Sequence, residues 1–222
     1  MTTAIVPRSD HSTRVAVQEE LEWTPEVESA GIEVTVEDGT VRLSGEVMDH
    51  PERLAAKRAA LRVEGVSTVL DDLVVRPEYP VIVTETDIRR AASRALRWAS
   101  NVPDTVRAET DGRTVLLVGE VRWDFQRRAA THAVQYLHGV HSVRNLITLT
   151  PRPPFAGAQE EIKKALVRNA QLDADNIVVT LNGDKAILSG HVRSWAEKEH
   201  AGIVAWSSPH VVEVVNDLVV RP

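Results

Sequence analysis

The six residues Asp-Leu-Val-Val-Arg-Pro at 72–77 recur letter for letter at 217–222. A chain that copies itself over that distance is expected to fold as repeats. Aligning Leu43-Ser44-Gly45-Glu46-Val47 with Leu117-Val118-Gly119-Glu120-Val121 and Leu188-Ser189-Gly190-His191-Val192 sets glycine steps of 74 and 71 residues. Twenty positions after the anchor glycine stand Gly65, Gly139 and His210, each followed by valine, and six further on stand Asp71, Asn145 and Asn216. A period this long, with a full set of elements inside it, predicts three small domains rather than a solenoid of short units.

The rest of the composition agrees with that division. The 222 residues are 43% hydrophobic and 26% charged, as in a soluble globular protein, and contain no cysteine, which excludes disulfides, thiolate nucleophiles and thiolate metal sites. Residues 1–10 carry no apolar run after Arg8, and no stretch approaches a membrane span, so the expected place is the cytoplasm, with peripheral contact at the inner membrane. The expected boundaries are an arm at 1–12 and domains at 13–78, 79–152 and 153–222. Charge is shared unevenly: 8 Lys/Arg against 16 Asp/Glu up to residue 78, 11 against 7 up to 152, and 7 against 9 thereafter. The basic middle unit invites an anionic partner or the acidic first unit, while the overall charge of -6 disfavours nucleic acid.

Within each unit the hydrophobic period changes in one order. Asp87 reads as an N-cap ahead of Ile88, Ala91, Ala92, Ala95, Leu96 and Trp98 at helical spacing; Ile162, Ala165 and Leu166 repeat the pattern, and 15–23 is its weaker first version. Two alternating runs follow, hinged at Asp38-Gly39, Asp111-Gly112 and Asn182-Gly183, where positive φ is expected at both turn residues. The first unit is one residue shorter between hinge and anchor glycine, which predicts the tightest turn there. A second helix over 51–63, 124–137 and 195–207 carries small residues at common positions (Ala56, Ala130, Ala201), suited to lying close on a sheet. A last strand passes through Leu73 and Val75, Ile147 and Leu149, or Leu218 and Val220. The fold class is therefore α+β: three tandem α-β-β-α-β sandwiches, each a small mixed three-stranded sheet covered by two helices, joined by the proline-rich stretches 76–80 and 151–154.

With the element order, the hairpin into Leu-Ser-Gly-Glu-Val and the later Gly-Val-x-x-Val before Asn or Asp, the chain resembles the BON domain family over about residues 13–222. The resemblance implies a non-catalytic module of bacterial osmotic-shock and transport-associated proteins that attaches to phospholipid surfaces. Asp71 in place of the usual Asn, and His210 in place of the second glycine, imply that the outer units do not share one ligand loop.

Gly45, Gly119, Gly190, Gly65 and Gly139 are read as marks of the fold, the first three through a bulge or the close approach of the overlying helix. The five tryptophans are either core fillers or interfacial anchors, and exposure favours the second. Arg90, Arg94 and Arg97 fall at i, i+4 and i+7 beside Trp98, with Arg89 nearby and Arg127 and Arg128 on the next helix. This group is the candidate site for an anionic phospholipid surface. His132, His138 and His141 align with Arg58, Glu64 and Ser67 in one unit and Ile203, Pro209 and Val212 in the other, which argues against an inherited metal site. Glu46 and Glu120 recur but His191 breaks the series, so no acid–base pair is expected. No cofactor and no catalytic residue is implied. The function expected is stress-associated binding to anionic membrane; the alternative is a soluble scaffold that binds a protein, small ligand or ion.

Overall fold

A computed structural model describes residues 9–77, 82–151, 153, 155, 157–169 and 172–221. Most of the expected arm, with Glu78, Tyr79, Pro80, Arg152 and Pro154 of the proline-rich joints, lies outside the described residues.

The first domain runs α1 (Asp10–Glu22), β1 (Ile32–Glu37), β2 (Thr40–Val47), α2 (His50–Arg62) and β3 (Thr68–Val75). The second runs α3 (Glu85–Trp98), β4 (Arg107–Asp111), β5 (Thr114–Val118), β6 (Glu120–Val121), α4 (Asp124–Val134), β7 (Ser142–Asn145) and β8 (Thr148–Leu149). The third runs α5 (Ala158–Val167), β9 (Ile177–Asn182), β10 (Lys185–Val192), α6 (Trp195–Trp206), β11 (Glu213–Asn216) and β12 (Val219–Val220). The main sheet of each domain places the second hairpin strand between the first, antiparallel to it, and the last; against the three strands expected, the third domain's sheet has four, and in the second domain β6 and β8 pair as a separate two-stranded sheet. In the second and third domains the last strand is parallel to the central one, so the second helix is the crossover between them.

Both helices lie on one face, because the strands alternate. In β1 and β9, Ile32, Val34, Ile177 and Val179 are buried while Glu33, Thr35, Val178 and Thr180 are exposed. The buried half meets the apolar stripe of the first helix, Val17 and Leu21, Ile88, Ala92 and Leu96, or Ile162 and Leu166. Ala56, Ala130 and Ala201, all fully buried, allow the second helix to approach the sheet.

Several expectations are corrected in detail. The first helix starts at Asp10, ahead of residue 15, because the Ser9 side chain accepts a hydrogen bond from the Ser12 amide and supplies a start signal. Helix α4 stops at Val134 rather than 137, closing through tight turns from Leu137 N–H to Val134 O (3.2 Å) and Val140 N–H to Leu137 O (3.1 Å). The last strand runs unbroken through Leu73 and Val75 only in the first domain; in the others it is split, and Ile147 and Leu218, expected within it, lie in the break between β7 and β8 or between β11 and β12.

The hairpins differ most instructively. All three loops hold two residues, since Glu37 pairs with Thr40, Asp111 with Thr114 and Asn182 with Lys185. In the first domain both loop residues have positive φ, Asp38 at 48° and Gly39 at 73°. In the others the loop is Gly112-Arg113 or Gly183-Asp184, and only the glycine is left-handed, at 58° and 66°. The missing residue thus moves glycine from the first to the second loop position, without making one turn tighter than the rest.

Candidate functional site

Helix α3 is held at its start by reciprocal capping. The Asp87 amide donates to Thr84 Oγ1 (3.2 Å), and the Thr84 amide donates to Asp87 Oδ2 (3.1 Å). Thr84 is therefore the N-cap, and Asp87, expected in that role, is the third helical residue. The Thr84 hydroxyl, then its amide, hold the Asp87 carboxyl below its ordinary value.

With 100° per residue, Ile88, Ala92 and Leu96 face the sheet, and Arg90, Arg94 and Arg97 fall within about 60° of arc on the opposite side. All three arginines are exposed, as is Arg89 a third of a turn away. Arg90 lies 3.5 Å from Asp87, whereas Arg94 and Arg97 make no ion pair among the described residues. Trp98 closes the helix beside Arg94 and is 83% exposed. The structure thus brings the four candidate residues to one face.

Arg127 and Arg128 do not join them. Both turn to Asp124, only 3% exposed at the start of α4: Arg127 Nε donates to Oδ1 (3.0 Å), and Arg128 Nε lies 2.9 Å from Oδ2, an ion pair outside hydrogen-bonding angles. Their spacing on the helix does not reveal that a buried carboxylate three and four residues back will claim them.

The tryptophans divide. Trp23 at the end of α1 is 84% exposed, matching Trp98, while Trp123, Trp195 and Trp206 are half-buried. Trp195 and Trp206 pack against the third core, and Lys198 Nζ sits 5.2 Å from the Trp195 ring. Core filling accounts for these two; it does not account for Trp23 and Trp98.

The anchor glycines have a local cause. A Cβ on Gly45, Gly119 or Gly190 would sit 2.1, 2.3 or 2.1 Å from the carbonyl oxygen of Gly31, Thr105 or Asn176, just before the first strand, and their φ values are 118°, 135° and 113°. The close approach comes from that carbonyl, not from the overlying helix as expected. Gly65 and Gly139 also have positive φ; at the matching place His210 does not, and its ring stacks on Phe155 with centroids 4.8 Å apart.

Asn145 and Asn216 prove to be latches. Each side-chain oxygen accepts the amide two residues on, from Ile147 (3.0 Å) and Leu218 (3.4 Å), while the side-chain amide donates to Arg127 O (2.9 Å) and Lys198 O (2.7 Å) on the second helix. Asp71 keeps the accepting half, from Leu73 N–H at 3.3 Å. Among the expected histidines, His132 stands edge-on to Tyr136 at 5.4 Å, and no group of three metal-ligating side chains forms among the described residues.

Sequence reasoning missed Arg107, exposed on β4, which lines a groove with Arg97. Strand alternation was the signal that would have placed it outside the core.

No helix of the described residues is long and apolar enough to cross a membrane. Among curated proteins, none matches the chain. Two solved structures of CdsD, a structural protein of the type III secretion system of Chlamydia trachomatis, are similar at 12% identity and a TM-score of 0.27. The first, its C-terminal domain, aligns over 94% of this chain and 96% of that one, the second over 94% and 91%. A family model of the BON domain matches three times, at residues 9–77, 84–151 and 156–222. The chain therefore belongs to the BON domain family, a family of binding modules, and carries three tandem copies of that domain.

Proposed function

We propose that the chain is a stress-associated peripheral membrane protein whose second domain attaches to anionic phospholipid at the cytoplasmic face of the inner membrane. One observation carries this reading: Trp98, 83% exposed, ends a helix face on which Arg94 and Arg97 form no ion pair among the described residues. An indole in water is costly and settles at headgroup depth, where its N–H stays wet. Each basic residue near such a surface adds about 1 kcal/mol. A single domain binds weakly, and tandem domains raise affinity through effective concentration where they engage together.

Co-sedimentation with vesicles tests it. Anionic vesicles are expected to retain the protein at low salt, neutral ones to release it, and added salt to weaken the contact. Changing Arg90, Arg94 and Arg97 together to Glu is expected to abolish retention. Absence of binding to anionic vesicles at low salt overturns the membrane reading, and undiminished binding by the triple variant moves the site elsewhere.

Trp23 favours a second reading. It is 84% exposed but follows the exposed Glu19 and Glu22, which an anionic membrane repels. This surface suits a soluble scaffold that takes a protein partner with a basic, apolar face.

A further inference from the structure

Three equivalent positions point to a more specific site. Arg107 pairs with Val118, Glu33 with Ser44 and Val178 with Ser189, in each case the residue before the anchor glycine, so these three residues share one place on the first strand. On the first helix, the residues after the buried Leu96, Leu21 and Leu166 are Arg97, Glu22 and Val167. The two places change together: arginine with arginine in the second domain, glutamate with glutamate in the first, and valine with valine in the third. The valines are 71% and 55% exposed, so burial does not select them.

In the second domain both arginines line one groove of about 410 Å³ between the end of α3 and the start of β4. Leu96, Pro103, Val106 and Ala108 form an apolar part of its wall, and Ser93 and Asp104 share the lining with the arginines. Neither Arg97 nor Arg107 is ion-paired to Asp104 or to any other described residue. Two like charges lining the same groove repel each other, a cost that a doubly charged anion between them reverses. Guanidinium groups match the oxygens of phosphate in pairs.

We infer that this groove is a phosphate site, filled by the phosphate monoester headgroup of an anionic lipid. Arg97 and Arg107 grip the oxygens, and the apolar wall receives the glycerol end. The lipid source rests on the membrane reading; the phosphate chemistry does not.

The full chain and its Arg107→Gln variant separate the two. In an amide NMR titration, inorganic phosphate is expected to shift Leu96 and Ala108 in the unaltered protein, with affinity falling about tenfold or more in the variant, as for loss of a charged hydrogen bond. Vesicles matched in surface charge are expected to bind more tightly when they carry phosphatidic acid than phosphatidylglycerol, and Arg107→Gln to erase that difference. Unshifted groove resonances, with equal binding of both vesicle types, overturn the site while leaving charge-driven attachment standing. Phosphate shifts without vesicle binding leave the groove as a site for free phosphate and sink its lipid source. Should Arg107→Gln unfold the domain, Arg97→Gln reads the same quantities.

Discussion

Helices α1 and α3 are two outcomes of one design. Their inner faces agree, Val17 and Leu21 against Ala92 and Leu96, and both end in a tryptophan more than four-fifths exposed. Their outer faces oppose: Glu19 and Glu22 stand where α3 has Arg94 and Arg97. The domains thus share what the core demands and differ where only a partner would feel the change. On the proposed reading, the exposed indole common to both makes the end of the first helix the contact region, and the charge beside it the choice of partner.

The sharpest way to break that comparison is at the shared framework. Gly45→Ala and Gly119→Ala each force a Cβ to within 2.1 or 2.3 Å of a carbonyl oxygen at a φ of 118° or 135°. Each is expected to cost at least about 3 kcal/mol, enough to unfold a domain of this size, and by similar amounts in both. Urea unfolding followed by circular dichroism checks this. A large difference between the two variants would mean that the domains do not rely on the same joint.

The next effect is at the outer face. Glu19→Arg with Glu22→Arg converts the first helix to the pattern of α3 beside an indole already present. At about 1 kcal/mol for each basic residue gained, binding to anionic vesicles is expected to rise roughly thirtyfold. Unchanged binding would show that charge beside an exposed tryptophan is insufficient, and would shift weight to the groove lined by Arg97 and Arg107.

These residues also show what the sequence carried and what it hid. The repeat, element order and buried stripes were legible because each is periodic, and three copies restate them. The exposed arginines of α3 were legible for the same reason: positions opposite a buried stripe face water. Asp124 was not, because its hold on Arg127 and Arg128 depends on burial, which spacing does not report. The hairpins misled because residue counting assumed a fixed glycine position within the loop. Arg107 escaped because its meaning lies in sharing a groove with Arg97, which only the packing of the strand beside the helix creates.

The smallest expected effect is a pH dependence that only the second domain carries at this place. The amides of His141 and Ser67 occupy matching positions, donating to Arg113 O and Gly39 O, both at 2.9 Å. His141 Nε2 is buried without a hydrogen-bond partner among the described residues; burial, then the Arg113 charge, lower the imidazole pKa from its ordinary 6.5. The unfolded chain therefore takes up the proton before the folded domain does. The stability that depends on neutral His141 is complete above about pH 6.5 and is lost as pH falls through that value toward the lowered folded one. His141→Ser, which copies the first domain, is expected to flatten the change in urea midpoint between about pH 7.5 and 5. Equal slopes for variant and parent would mean that the proton reaches His141 in the folded domain as easily as in the open chain.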